Sequence, residues 1–346
     1  MQGYNTEWVN LKDKESRQEV ESFLHEFDLI LDSDVDYTIV IRNGTYVVAT
    51  CSKAKNVLKC FAVSLELRGE GITSLLISTL IDKLFEQGIY HSFIFTKPSK
   101  VNIFSSLNFN LLYSNKDVAL LESGIYNINK NLEEMKKKYD ISDSEKAAIV
   151  MNCNPFTFGH KYLIEEASKN NKEVLVFIVE EDKSLFPFKI RYELALRGVE
   201  HLKNVKVLPG GEYIISSATF PSYFLRKEGE KLRAYVDLDA SIFGKYLCKS
   251  YNITSRYVGE EPYCKVTKVY NEALKKVLPT YGVEVKEIPR YEFQHSAISA
   301  SRVRALIREG NINDLKGFLP EVTLEFLNTS YGREIVEKIK VSNSPH

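Results

Sequence analysis

Four residues in one turn, Thr157, Phe158, Gly159 and His160, stand between a short apolar run, Ala148 to Met151, and a segment whose apolar positions Leu163, Ile164 and Ala167 recur at helical spacing. A helix start leaves several backbone N–H groups without intrahelical partners and carries the positive end of the helix dipole, so an anion is stabilised there. Gly159 has no Cβ and admits a phosphate close to the main chain. His160, in the first turn, can offer a ring nitrogen to a charged oxygen. The chemistry is phosphate binding, although these four residues alone also suit an ordinary strand-to-helix loop with a capping threonine and a surface histidine.

A second stretch of the same character lies far downstream, Ile298-Ser299-Ala300-Ser301-Arg302-Val303-Arg304. Ser299 or Ser301 suits an N-cap, Val303, Leu306 and Ile307 form an apolar helical stripe, and Gly310 is a natural stop. Hydroxyls, backbone N–H groups and the Arg304 guanidinium can converge there on a triphosphate tail. Taken singly, this too reads as a basic capped helix; the pair of stretches favours a nucleotide.

The elements that must position these residues alternate from Lys146 onward: strand 146–151, helix 159–170, strand 173–179, helix 187–201 and strand 204–209, then a longer helical region around 219–250. A strand at 255–259, a helix at 266–278, a strand at 284–288 and the helix after Ser301 follow. Such alternation predicts a doubly wound parallel sheet with helices on both faces, and ligands bind such sheets outside the strand C-termini, where both stretches fall. Gly259 and Glu260 close a strand at the same edge, where a glycine lets a purine approach the backbone. Lys189 and Arg191 can reach phosphates across the cleft or simply line an exposed basic helix face. Tyr213 to Pro221 mixes hydroxyls with apolar bulk and suits either an acyl site or core. Asp237 and Asp239 form a DxD pair that reads as exposed carboxylates rather than metal ligands, and His295 is either loop or phosphate contact. His25, His91, His201 and His346 have no supporting context.

Before this region, residues 15–27 have helical spacing, and 37–42, 46–51 and 57–63 read as strands, the first two joined by a turn at Arg42 to Thr45. A helix bearing Leu75, Leu76, Leu80 and Leu84 follows, then a strand at 92–96, a short helix at 101–107 and a hairpin at 109–113 and 118–122. The reading is an α+β domain over 1–126, a lysine-rich, solvated connecting helix and linker over 127–145, and the α/β domain over 146–346.

With 346 residues, 44% hydrophobic and 27% charged, and 46 basic side chains balancing 46 acidic ones, composition describes a soluble globular protein with no general attraction to nucleic acid or membrane. The five cysteines include no CxxC pair, and no Cys/His zinc spacing occurs. Free thiols in a reducing cytosol fit best, and Cys153, beside the phosphate turn, reads as packing. The N-terminal stretch lacks the apolar core of a signal peptide and no run of apolar residues is long enough for a membrane span, so a cytoplasmic protein is expected.

TxGH followed by ISxSxxR resembles the double signature of the HxGH-type nucleotidyltransferase superfamily. The combination NPFTFGHKYLIEEA, YIISSATFPSYF, RYVGEEP and AISASRVRALI resembles, more closely, the citrate lyase ligases. That resemblance implies ATP binding by Asn152, Asn154, Pro155, Phe156, Thr157, Gly159, His160, Lys189, Arg191, Gly259, Glu260, Ile298, Ser299, Ser301 and Arg304. Thr157, His160, Ser301 and Arg304 would act on the phosphates, with Gly259 and Glu260 beside adenine. It implies a reaction of ATP and acetate to acetyl-adenylate, with Mg²⁺ held through ATP and water. The partner would be citrate lyase, whose acyl carrier subunit presents the thiol of a dephospho-coenzyme-A-derived prosthetic group. The turn Arg68-Gly69-Glu70-Gly71 resembles the pyrophosphate-binding turn of the GNAT acetyltransferases, with Thr73 where that family has Gly or Ala. It marks Arg68, Gly69 and Gly71 as pantetheine-binding candidates; acetyl transfer, docking of a pantetheine arm and a purely structural domain all remain open. The rival functions are an adenylyl- or cytidylyltransferase acting on a phosphorylated metabolite, and a GNAT acetyltransferase with a nucleotide-sensing domain.

Overall fold

The chain packs as two units, one ending at Asn127 and one beginning at Ile128. The computed structural model describes residues 4–180, 184–216, 230–261, 264–294 and 296–342.

The first unit runs β1 (Glu7–Val9), α1 (Lys14–His25), β2 (Tyr37–Asn43), β3 (Tyr46–Ala54), β4 (Val57–Val63), α2 (Ile72–Glu86), β5 (His91–Thr96), α3 (Val101–Ser105), β6 (Asn110–Ser114) and β7 (Ala119–Gly124). Its sheet has the order β1-β2-β3-β4-β5-β7-β6. Because side chains alternate across a strand, Ile39 and Ile41 of β2 pack under α2 with Leu76, Leu80 and Leu84. Val40 between them faces Val20, Phe23 and Leu24 of α1 on the other side. β4 and β5 pair in parallel only through Val57–Phe93 and Leu58–Ile94. Gly69 and Gly71 hold φ values of +90° and +75°, conformations that favour glycine, and Gly71 is the N-cap of α2.

The second unit runs α4 (Ile128–Lys138), β8 (Lys146–Met151), α5 (Phe158–Asn170), β9 (Val174–Ile178), α6 (Phe188–Gly198), β10 (Val205–Pro209) and α7 (Glu230–Ile242). The chain continues through a π-helical Phe243–Cys248 into α8 (Lys249–Tyr251), then β11 (Ile253–Gly259), α9 (Lys265–Val277), β12 (Glu284–Ile288), the hairpin β13 (Glu292–Phe293) and β14 (Ser296–Ala297), α10 (Ala300–Arg308), α11 (Glu321–Asn328) and α12 (Ser330–Val341). The five-stranded sheet has the order β10-β9-β8-β11-β12 with every pair parallel. β8, first in the chain, lies in the middle; the winding goes out to β10 and returns on the other side of β8 to β11 and β12. The C-terminal ends of β8 and β11 are therefore the switch point at which such sheets bind ligands. β9 is buried along its whole length, as its unbroken VLVFI demands of a strand covered on both faces.

Helix α4 is not a solvated connector. Ile128 and Leu132 are buried, and the Tyr251 hydroxyl donates to the Leu132 carbonyl at 3.3 Å. β1 and the β13–β14 hairpin were not expected from sequence, being too short to carry a readable period. Residues 217–221 of the hydroxyl-rich stretch, and His295 and His346, lie outside the described residues.

Candidate active site

The phosphate turn is built by a reciprocal cap. Thr157 is the N-cap of α5, and its Oγ1 accepts the His160 backbone N–H at 3.4 Å. In return the His160 ring reaches back, its Nδ1 accepting the Thr157 N–H at 3.1 Å and lying 2.9 Å from the Thr157 hydroxyl. A nitrogen that accepts a backbone N–H carries no proton, so the neutral ring keeps its proton on Nε2, and that N–H is the donor left for a ligand. Burial, and then the positive charge of Arg290, lower the His160 pKa to about 4. Phe156 stacks on the imidazole, with ring centroids 6.0 Å apart and planes 18° from parallel. The Phe156 carbonyl accepts the Thr323 hydroxyl at 2.9 Å, and a Cβ at Gly198 would lie 2.3 Å from the Phe156 ring.

The second stretch meets the first directly. A Cβ at Gly159 would fall 3.0 Å from the Ile298 carbonyl oxygen, so the close approach this glycine permits is that of the Ile298 main chain. Ser299 is the N-cap of α10, its hydroxyl accepting the Arg302 N–H at 3.1 Å; Ser301 is exposed in the first turn. Arg304 is buried at 4% exposure. Its guanidinium donates to the Asn154 carbonyl of the first stretch, and to Ser301 Oγ at 3.4 Å. Two helix starts far apart in sequence thus share one corner of the sheet edge.

Arg191 differs from its sequence reading. It is fully buried, and its guanidinium donates to the carbonyls of Phe186 at 2.9 Å, Asn152 at 2.8 Å and Val179 at 2.7 Å, and to Asn152 Oδ1 at 2.8 Å. These are the loops following β8 and β9 and the entry to α6, so Arg191 ties the walls of the site together rather than lining an exposed basic helix face. Lys189, two residues earlier, is exposed. Asn152 Nδ2 donates to Ser184 Oγ at 3.0 Å. Asn154, followed by a cis peptide to Pro155, accepts the Phe186 N–H on Oδ1 at 3.1 Å. That bond fixes the amide's orientation and leaves a buried Nδ2 with no acceptor among the described residues.

Gly259 ends β11; its carbonyl accepts from Asn271 Nδ2 at 3.0 Å, and the space a Cβ would take is open. Arg290, absent from the sequence reading, lies two residues past β12 and binds the Glu260 carbonyl at 2.8 Å and the Glu261 carboxylate at 2.6 Å. Its place just beyond the C-terminal end of a parallel strand was the available signal.

Other sequence candidates have separate explanations. The fully buried Asp239 accepts the Ile215 N–H at 2.8 Å on one oxygen and the Tyr270 hydroxyl at 2.7 Å on the other. It is an internal anchor and not an exposed carboxylate. Among the described residues no group of three His, Cys, Asp or Glu side chains could hold a metal ion, and no helix is long and apolar enough to cross a membrane. Cys153 is buried, which pushes its thiol far above the ordinary range, so it is no nucleophile. His91 is buried against Glu122 at 3.0 Å. Arg68, Gly69 and Gly71 are exposed in the first unit.

The citrate lyase ligase C-terminal domain model matches residues 146–327. The citrate (pro-3S)-lyase ligase of Escherichia coli K12 is 36% identical over 324 residues, covering 92% of each chain. The chain belongs to the citrate lyase ligase family. The ligase of Klebsiella pneumoniae is 35% identical over 322 residues, 92% of this chain and 94% of that one. A GNAT-family acetyltransferase structure from Staphylococcus aureus Mu50 covers 36% of this chain and 100% of its own, at 16% identity and a TM-score of 0.30. The family's C-terminal domain begins here with the first residue of β8 and ends in α11, so it takes in the phosphate turn, Arg191, the β11 loop, Arg290 and α10.

Proposed function

We propose that the protein activates citrate lyase: ATP, acetate and the thiol of the prosthetic group on the acyl carrier subunit give AMP, diphosphate and the acetyl thioester, through acetyl-adenylate. The observation that carries this reading is the junction of the two helix starts, Gly159 against the Ile298 carbonyl and Arg304 on the Asn154 carbonyl, at the switch point of the sheet, in a chain of the citrate lyase ligase family.

In the first step an acetate oxygen attacks the α-phosphorus and the bond to the β,γ-diphosphate breaks. In the second the thiolate sulfur attacks the acetyl carbon and AMP leaves. Acetate is a competent nucleophile as it stands, so the protein's task is to hold the reactants in line and to meet charge developing on phosphate oxygens. The His160 Nε2–H and the Thr157 turn contact the α- and β-phosphates; Ser299, Ser301 and Arg304, with the first N–H groups of α10, receive the β,γ end. His160 serves as a neutral hydrogen-bond donor, its pKa of about 4 keeping the ring uncharged at neutral pH. Asn154 Nδ2, buried beside the turn with no acceptor among the described residues, suits a phosphate or carboxylate oxygen. Gly259 and Glu260 flank adenine. Mg²⁺ fits as part of the ATP complex, coordinated by phosphate oxygens and water. The first unit serves to receive the pantetheine arm at Arg68, Gly69 and Gly71, and the free cysteines agree with a cytoplasmic setting.

The test is pyrophosphate release from Mg-ATP with and without acetate, with deacetylated citrate lyase as thiol acceptor. Acetate-dependent release accompanied by restored lyase activity is expected. Release that ignores acetate but follows a phosphorylated metabolite would replace the ligase with a nucleotidyltransferase.

A further inference from the structure

Arg290 joins three segments that sequence leaves unrelated. Its Nε donates to the Glu260 carbonyl at 2.8 Å, its Nη2 meets Glu261 Oε2 at 2.6 Å, and its Nη1 lies 3.5 Å from the Ile298 carbonyl. Glu261 is held in turn, its Oε1 accepting the Cys264 N–H at 3.0 Å, and the Glu260 N–H donates to the Ile288 carbonyl at the end of β12 at 2.9 Å. The Ile298 carbonyl is the same atom that faces the bare Cα of Gly159. A continuous set of contacts therefore runs from the loop after β11, through Arg290, to the point where the two phosphate-binding helix starts meet.

The ion pair is not an exposed one. The Arg290 and Glu261 side chains retain 18% and 13% of their accessible surface, so both charges have given up most of their water. Partly buried pairs of this kind contribute little net stability over apolar replacements, and their use is better sought in what they hold in register. We propose that Arg290 is a positioning residue for the nucleotide. Paired with Glu261, it fixes the loop Gly259–Glu261, on the base side, against the helix starts that bind the phosphates, so that one rigid frame grips both ends of ATP. This rests on the ATP-dependent reading of the site. The influence of Arg290 on His160 agrees with the guanidinium standing at this junction.

The frame needs the planar fork of arginine. One lysine ammonium can keep the charge opposite Glu261 but cannot also serve two carbonyls in fixed directions. Arg290→Lys is therefore expected to weaken equilibrium binding of Mg-ATP about tenfold, the equivalent of one lost interaction of about 1.4 kcal/mol, while the KM for acetate stays within about twofold of wild type. Glu261→Gln, which leaves the carbonyl contacts in place, shifts ATP affinity in the same direction by less. The experiment uses the full chain: calorimetric titration with Mg-ATP in the absence of acetate, the KM values for ATP and acetate from pyrophosphate release, thermal denaturation, and an NMR titration of the His160 imidazole. In Arg290→Met the His160 titration point is expected to move up toward the ordinary histidine value.

Unchanged ATP affinity in both Arg290 variants, with only the melting temperature lowered, overturns the proposal, as does an acetate KM that rises in step with that for ATP. If the wild-type chain binds ATP but shows no acetate-dependent turnover, the ligase reading fails while the binding titration still decides the role of Arg290. If it binds no ATP, both fall.

Discussion

Replacing Arg191 with methionine removes a cation that donates to three backbone carbonyls and one side-chain amide, all within 2.7–2.9 Å, while keeping an unbranched side chain in a fully buried space. Hydrogen bonds to a charged group contribute about 1.5–3 kcal/mol each, which over four contacts gives a bare sum of roughly 6–12 kcal/mol. Methionine also relieves the interior of a desolvated charge, a cost of several kcal/mol. The net destabilisation expected is about 3–5 kcal/mol, most of it from carbonyls left unpaired at the ends of β8 and β9 and before α6. For a unit of this size each kcal/mol lowers the melting temperature by about 2–4 °C, so a fall of about 6–20 °C is expected in scanning calorimetry. Arg191→Lys, able to satisfy only part of the set, should fall between. An Arg191→Met variant that melts with wild type and instead loses ATP affinity would overturn the structural role of Arg191, because that is the signature of a phosphate contact.

His160 supplies a pH test. Its folded pKa, lowered by burial and by Arg290 to about 4, lies below the ordinary histidine value, so the unfolded chain binds more protons over the interval between them. The contribution of this site to stability is complete above about pH 6.5 and is lost as pH falls toward 4; urea midpoints measured at pH 7 and pH 5 should differ in that direction, and less so in His160→Gln. The same value predicts that kcat/KM shows no loss assignable to His160 protonation between pH 8 and about 5.5, which a pH–rate profile checks. Gly198→Ala would drive a methyl group into Phe156, 2.3 Å from the ring. Overpacking of this kind costs about 1–3 kcal/mol, and because Phe156 stacks on His160, turnover should fall in the folded fraction; a variant that is as stable and active as wild type would show that the ring yields freely.

Both helix starts, the strand–helix alternation and the parallel sheet could be read from sequence because each rests on local physics. N-caps, apolar residues at three- and four-residue spacing and unbroken buried strands act over a few positions, and Thr157, Ser299 and β9 behave as their own neighbourhoods dictate. What only the tertiary structure decided depends on contacts between distant segments. Lys189 and Arg191 are both cations near the start of one helix, but residues two apart point about 200° from each other, and only the packing of α6 on β9 and β10 puts one in water and the other among carbonyls. Of the two serines that could cap α10, it is Ser299 whose hydroxyl takes the Arg302 N–H, and the reason for a glycine at 159 was the carbonyl of Ile298 arriving from far along the chain. Arg290 carries no motif; its place at the junction follows from β12 lying beside β11. Local propensity acts through the residues it names, whereas burial and charge pairing are properties of a fold, and so the site's phosphate-binding ends were written in short motifs while the side chains that hold them together were not.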